Sequence, residues 1–161
     1  MTCEADLGGV GSLDTTCNIV SSLNISDNVY IQGKGNFNIL PNITVNCMFP
    51  GCELVINVSG NFTLGQNSTI FAGTFDLTAD NATFSNGSVV NTTGLAGDPP
   101  PQTSGTPQGV DGAGGGYGGR GAACLLDQKK LPDDVWGGDA YGWSYLQDPC
   151  SYGSKGGTTN R

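Results

Sequence analysis

The sequence predicts an all-β protein, a parallel β-solenoid with coils of about 19–20 residues followed by a Gly-rich loop lobe. Three observations predict it. One pattern recurs at a spacing of 19 residues: Phe37-Asn38-Ile39 leads to Asn42-Ile43-Thr44-Val45, and Ile56-Asn57-Val58 leads to Asn61-Phe62-Thr63-Leu64. Phe75-Asp76-Leu77 leading to Asn81-Ala82-Thr83-Phe84 is a third copy with one residue inserted. Within each copy apolar and polar residues alternate, which is the period of a strand. Finally, β-branched and turn residues dominate, and the apolar positions lack helical spacing. A β-sandwich of similar strands would share the alternation, but not the in-phase repetition.

The segments follow in order. Residues 1–28, rich in Gly, Ser and Thr, read as an entry segment that covers the open apolar end of the first coil. A weaker copy of the motif, Asn24-Ile25-Ser26, falls 18 residues before Asn42. Residues 29–94 read as the solenoid body. There Phe37, Ile56 and Phe75 are expected one above another, in parallel strands about 4.8 Å apart. Residues 95–161 change character: they include Pro99-Pro100-Pro101, and 17 of the 27 glycines lie in 94–161. The run from Gly112 to Gly121 is either a mobile linker or a tight loop that passes across the side of the solenoid, with Trp136 and Trp143 as anchors.

Alternation turns the Asn and Thr outward, and there they spell acceptor sequences for N-linked glycans. The eight are Asn24, Asn42, Asn57, Asn61, Asn67, Asn81, Asn86 and Asn91. Residues 24–93 hold 12 Asn and 13 Ser or Thr, so random arrangement would give only about two such sites. Polar ladders on outward solenoid positions raise the count without any sugar. In five sites the middle residue is apolar (Ile25, Ile43, Val58, Phe62, Ala82) and is expected to enter the core while the Asn faces water. Sugar there would be solubilising and would hinder sheet association.

The six cysteines suggest disulfides in an oxidising compartment. Of 15 possible pairings, the locally economical set is Cys3 with Cys17, Cys47 with Cys52, and Cys124 with Cys150. Zinc is the weaker reading, because the chain has no His and no Cys-x-x-Cys. A net charge of −8 with only six Lys and Arg makes nucleic acid or an anionic membrane a poor partner. No apolar run approaches the roughly 20 residues of a membrane helix. Met1 leads straight into Thr2-Cys3, so the chain reads as a mature segment whose targeting sequence lies elsewhere.

No catalytic constellation stands out, and neither a cofactor nor a metal is expected. The absence of His removes His-based triads. Gly114-x-Gly116-x-x-Gly119 fits a dinucleotide fingerprint but lies in a glycine run with no strand before it. Asp133-Asp134, near Asp127, Asp139 and Asp148, fit a solvated turn better than a catalytic pair. Trp136, Tyr141, Trp143 and Tyr145 are candidate contacts for sugar rings, against the plainer reading as core of a C-terminal lobe.

Four stretches carry a family resemblance: Cys3-Glu4-Ala5-Asp6-Leu7-Gly8-Gly9, Tyr30-Ile31-Gln32-Gly33-Lys34-Gly35, Gly94 through Gly105, and Asp133-Asp134-Val135-Trp136-Gly137-Gly138-Asp139-Ala140-Tyr141. Together they resemble a plant family of very long glycine-rich cell-surface proteins, with a large secreted ectodomain and a C-terminal membrane anchor. The resemblance implies that this chain is similar to the N-terminal part of such an ectodomain. It implies no catalytic residues. The family pattern has a Cys pair where this chain has Ala123-Cys124, and Trp where it has Cys150. That makes a Cys124–Cys150 bond particular to this sequence. The expectation is therefore an extracellular, N-glycosylated structural or interaction protein, with itself (coils stacked end to end into filaments) or wall polysaccharide as partner. The rivals are a cell-wall glycan-binding module and a β-helix polysaccharide lyase or hydrolase.

Overall fold

The computed structural model describes residues 1–95, 97, 102–105, 114–117, 121–122, 137–140, 153–154 and 156. Two compact units divide at Gly97 and Asp98. Among the described residues there are twelve strands and no helix.

The first unit is a three-sided parallel β-solenoid of about four coils. Its first coil is β2 (Thr16–Ile19), β3 (Leu23–Asn24) and β4 (Val29–Gly33). The second is β5 (Asn36–Ile39), β6 (Thr44–Asn46) and β7 (Glu53–Val58). The third is β8 (Phe62–Leu64), β9 (Thr69–Phe71) and β10 (Thr74–Thr78). The chain then begins a fourth with β11 (Ala82–Phe84) and β12 (Val89–Asn91). The first face stacks β2-β5-β8-β11, the second β3-β6-β9-β12, and the third β4-β7-β10, all in parallel register. A short β1 (Val10–Gly11) lies antiparallel against β2 at the start.

Apolar alternation builds the core as vertical columns. On the first face Cys17, Phe37 and Phe62 stack, and beside them Ile19, Ile39 and Leu64, all at most 2% exposed. The Phe37 and Phe62 rings lie 6.4 Å apart and nearly parallel. Each of the Phe, Ile and Leu side chains among them contributes about 1.5–3 kcal/mol by leaving water.

This register corrects the expected 19-residue alignment. Phe37 stacks on Phe62, Ile56 on Leu77, and Phe75 on Leu54, so Phe37, Ile56 and Phe75 do not share a column. Asn24 stacks on Asn46, not Asn42. Along Cys17, Phe37, Phe62 and Ala82 the steps are 20, 25 and 20 residues. The reason is geometric. The corners between the first and second faces and between the third and first both join two alternating strands through a short turn that carries Asn, so these two corners resemble one another in sequence. The copy at Phe37 spans the corner between the first and second faces, whereas those at Ile56 and Phe75 span the corner between the third and first.

The longer second coil has a local cause. β9 and β10 are separated only by Ala72 and Gly73, while β6 and β7 are separated by residues 47–52. Cys47 N–H donates to Phe71 O, and Thr74 N–H donates to Cys52 O, which sets the two cysteines level with Ala72 and Gly73. The Cys47–Cys52 disulfide holds the ends of this insertion at a Cα separation of 5.8 Å. It thus returns the chain to register after a bulge that carries exposed Met48.

The start of the stack is plugged. Cys3, Leu7 and Leu13 are buried, and Cys3 is bonded to Cys17 with a Cα separation of 5.7 Å. Gly9 N–H donates to Cys3 O, and Thr2 N–H donates to the Asp6 carboxylate. The first coil therefore begins at Thr16, inside the segment expected as entry.

In the second unit, separate glycine segments share backbone hydrogen bonds. Gly138 N–H donates to Gly114 O, Gly121 N–H to Gly138 O, Gly114 N–H to Ala122 O, and Gly116 N–H to Thr103 O, at 2.7–3.0 Å. A Cβ on Gly138 would stand 1.6 Å from Thr103 O. The described glycines of this run pack closely on neighbouring backbone, and only glycine permits that spacing; Trp136 and Trp143, the expected anchors, lie outside the described residues.

Candidate functional site

The candidate site is the outer surface, because alternation sends the polar residues there. Seven of the eight acceptor asparagines are exposed and Asn91 is half-buried, so every one presents its side chain at or near water. Of the middle residues, Ile43, Val58 and Phe62 are buried and Ile25 half-buried, as alternation requires. Ala82 is exposed, which departs from the expected burial, and β11, which carries it, is the last strand of its sheet among the described residues.

The asparagines fall into groups with different local causes. Asn42 and Asn67 adopt positive φ (61° and 55°) at the corner between the first and second faces. Gly87, at φ 73°, occupies the same place one coil later. Asn is the non-glycine residue that best tolerates this conformation, so the turn alone accounts for Asn at 42 and 67. Asn86 precedes Gly87 and helps line a shallow groove at this corner with Asn38, Leu40, Pro41, Thr63 and Gln66.

Other asparagines form ladders between coils. Asn38 Nδ2 donates to Asn18 Oδ1 at 2.9 Å, and Asn46 Nδ2 to Asn24 Oδ1 at 3.0 Å. Asn81 Nδ2 donates to Asn61 Oδ1 at 3.2 Å and to Asp80 Oδ2 at 3.0 Å. Asn24 and Asn61 therefore accept through oxygen, which leaves their nitrogen, the atom that carries sugar, outside these bonds. Asn81 spends its nitrogen on two acceptors, and a glycosylated amide keeps only one N–H. Asn57 lies on β7 between Gln32 and Thr78. Asn91 shares the outward column of Asn24, Asn46 and Phe71.

The third face carries an aromatic contact that sequence reasoning missed. Tyr30, 53% exposed, donates its hydroxyl to Glu53 at 2.5 Å. That bond to the carboxylate holds the phenol pKa above its ordinary value, with smaller contributions from desolvation and the carboxylate's charge. In the plug, the hydrogen bonds from the Thr2 backbone and hydroxyl hold the Asp6 carboxyl below its usual range. Also missed was Ser68, the middle residue of one acceptor sequence. It is fully buried, donates to Leu40 O at 2.7 Å and accepts from Ile43 N–H at 3.0 Å, stitching the corner to the previous coil.

Cys124, Cys150, Trp136, Tyr141, Trp143 and Tyr145 lie outside the described residues, as do Asp127, Asp133, Asp134 and Asp148. Among the described residues no group of His, Cys, Asp or Glu is placed to hold a metal ion, and no helix is long and apolar enough to cross a membrane.

Fold and surface together define a class: a parallel β-solenoid, disulfide-bonded, with asparagine ladders on its outside. No protein-family model, curated protein or solved structure matches the chain.

Proposed function

We propose that the chain is a secreted, N-glycosylated β-solenoid with a structural or interaction role at the plant cell surface or wall. One observation carries this reading: eight acceptor sequences lie on one rigid stack, all with the asparagine at or near the surface. The turn and ladder geometry explains some of the asparagines, but it does not call for Ser or Thr two residues further on in all eight. The Cys3–Cys17 and Cys47–Cys52 bonds suit an oxidising compartment. The family resemblance supports a plant surface, and a stack of parallel coils is a stiff spacer that could associate with itself or with wall polysaccharide.

Intact mass of the chain secreted from plant cells, before and after enzymatic deglycosylation, tests the reading. Sugar on several of the eight asparagines is the expected result. A secreted chain whose mass does not change on treatment would overturn it.

A further inference from the structure

The groove at the corner of the first and second faces has a specific origin. Leu40, Gly65 and Ser85 directly follow β5, β8 and β11 and form one column, a coil apart. Gly65 N–H donates to Ile39 O at 2.8 Å. A Cβ on Gly65 would stand 2.6 Å from both Leu40 C and Pro41 N, so this corner can draw in only with glycine there. The missing side chain leaves a recess between the second coil, where Leu40 is 38% exposed, and the fourth. The recess measures about 560 Å³, which is within the range of small-ligand sites. Amide and hydroxyl groups of Asn38, Thr63 and Gln66 line it beside the apolar Leu40 and Pro41, and no lining residue is charged. A neutral pyranose ring, with apolar faces and hydrogen-bonding edges, matches such a lining.

Resting on the glycosylation reading above, we propose that this groove seats the inner N-acetylglucosamine units of the glycan carried by Asn86. Three observations choose that occupant. Asn86 itself lines the groove, so sugar attached there starts at its edge. Asn86 is exposed and stands apart from the ladders that engage Asn24, Asn61 and Asn81. The uncharged lining suits an N-acetylhexosamine and offers no cation to a uronate or a phosphate. Attachment holds the sugar at millimolar effective concentration, so contacts too weak to capture free sugar suffice. The acceptors one residue further along the same corner, Asn42 and Asn67, do not line the groove. Seated there, the glycan bridges the second, third and fourth coils through Asn38, Thr63 and Asn86, and it covers Leu40 and Pro41.

The test treats the full secreted chain, still folded, with a peptide N-glycosidase active on plant glycans, in water carrying heavy oxygen. The enzyme leaves a labelled Asp at each released site, so mass spectrometry reads the sites separately; an enzyme-free control subtracts spontaneous deamidation at Asn86-Gly87. Release at Asn86 is expected to run about tenfold slower than at Asn24 and Asn57. Those two lie on the second and third faces, and the difference should vanish in the unfolded, reduced chain. Leu40→Asp puts a carboxylate on the apolar floor and Gln66→Ala removes an amide; both residues are exposed, so the fold tolerates the changes. Each is expected to speed release at Asn86, and both together to bring it level with Asn24, whose own rate stays unchanged and so reports an intact fold. Equal rates at Asn86, Asn24 and Asn57 in the folded wild type would overturn the proposal. A slow Asn86 that persists in the double variant would overturn it by assigning the cover to protein. Slowing that grows with protein concentration would overturn it by assigning the cover to a second copy. Mass spectrometry before treatment separates the two levels. No sugar at any of the eight sites removes the glycosylation reading and this proposal with it. Sugar elsewhere but none at Asn86 removes this proposal alone.

Discussion

In the solenoid, the space between coils is filled by side chains: Cys17, Phe37 and Phe62 in one column, Ile19, Ile39 and Leu64 in the next. In the Gly-rich unit, the neighbouring backbones come so close that Thr103 O occupies the place where a Cβ of Gly138 would be. Both regions satisfy backbone N–H groups on neighbouring segments. The first adds hydrophobic burial to each rung; the described residues of the second show hydrogen bonds and close backbone contact. The difference shows where each is vulnerable. Shrinking a side chain should hurt the solenoid, whereas enlarging one should hurt the Gly-rich unit.

The largest expected effect follows from the first half of that contrast. Phe62 is fully buried between the Phe37 and Phe84 rings. Phe62→Ala is expected to destabilise the solenoid by about 3–5 kcal/mol, measured by chemical denaturation. Phe84→Ala, at the half-exposed end of the inner row, is expected to cost well under half as much. Similar losses at the two positions would mean that the last coil is covered as fully as the third.

Gly138→Ala tests the other half. The added methyl would meet backbone on two sides, Thr103 O at 1.6 Å and Gly116 N at 2.8 Å, so the segments must move apart. Overpacking of this kind costs about 1–3 kcal/mol. Hydrogen exchange would report it: protection is expected to fall at Gly114, Gly116 and Gly121 and to stay unchanged at Phe37 and Phe62. Unchanged protection at the glycines would contradict close packing in this unit.

The same contrast explains what could be read from the sequence. Solenoid architecture was legible because burying alternate side chains leaves a period of two, and stacking leaves Asn and Thr recurring on the outside. Register was not legible, because Phe37-Asn38-Ile39 and Ile56-Asn57-Val58 lie on different faces that impose the same local pattern. The four-residue bulge inside Cys47–Cys52 then shifted the spacing further. The αL origin of Asn42 and Asn67 left a usable signal, since Gly87 stands in the same column. The Gly-rich packing left none, because its partners, such as Thr103 and Gly138, lie far apart in sequence and composition alone fits a linker equally well. At the candidate site, the acceptor asparagines could be located from their motif, whereas Ser68 and the Tyr30–Glu53 pair owe their roles to inter-coil neighbours.

The smallest expected effect concerns a rung held by an exposed polar pair. Tyr30 donates its hydroxyl proton to Glu53 across strands, so the interaction requires a protonated phenol. The bond raises the phenol pKa in the folded state. Its stabilisation is therefore fully present below the unfolded value of about 10 and is lost as pH rises through the raised folded value. Ultraviolet titration of the five tyrosines should show a component ionising later than an ordinary phenol. Tyr30→Phe should delete that component, as should Glu53→Gln, which removes the carboxylate charge. Because the pair is solvent-exposed, neither substitution should move the denaturation midpoint measurably at neutral pH. A late component that survives both substitutions would assign the raised pKa to a different tyrosine and leave the third face held by its backbone ladder and buried columns alone.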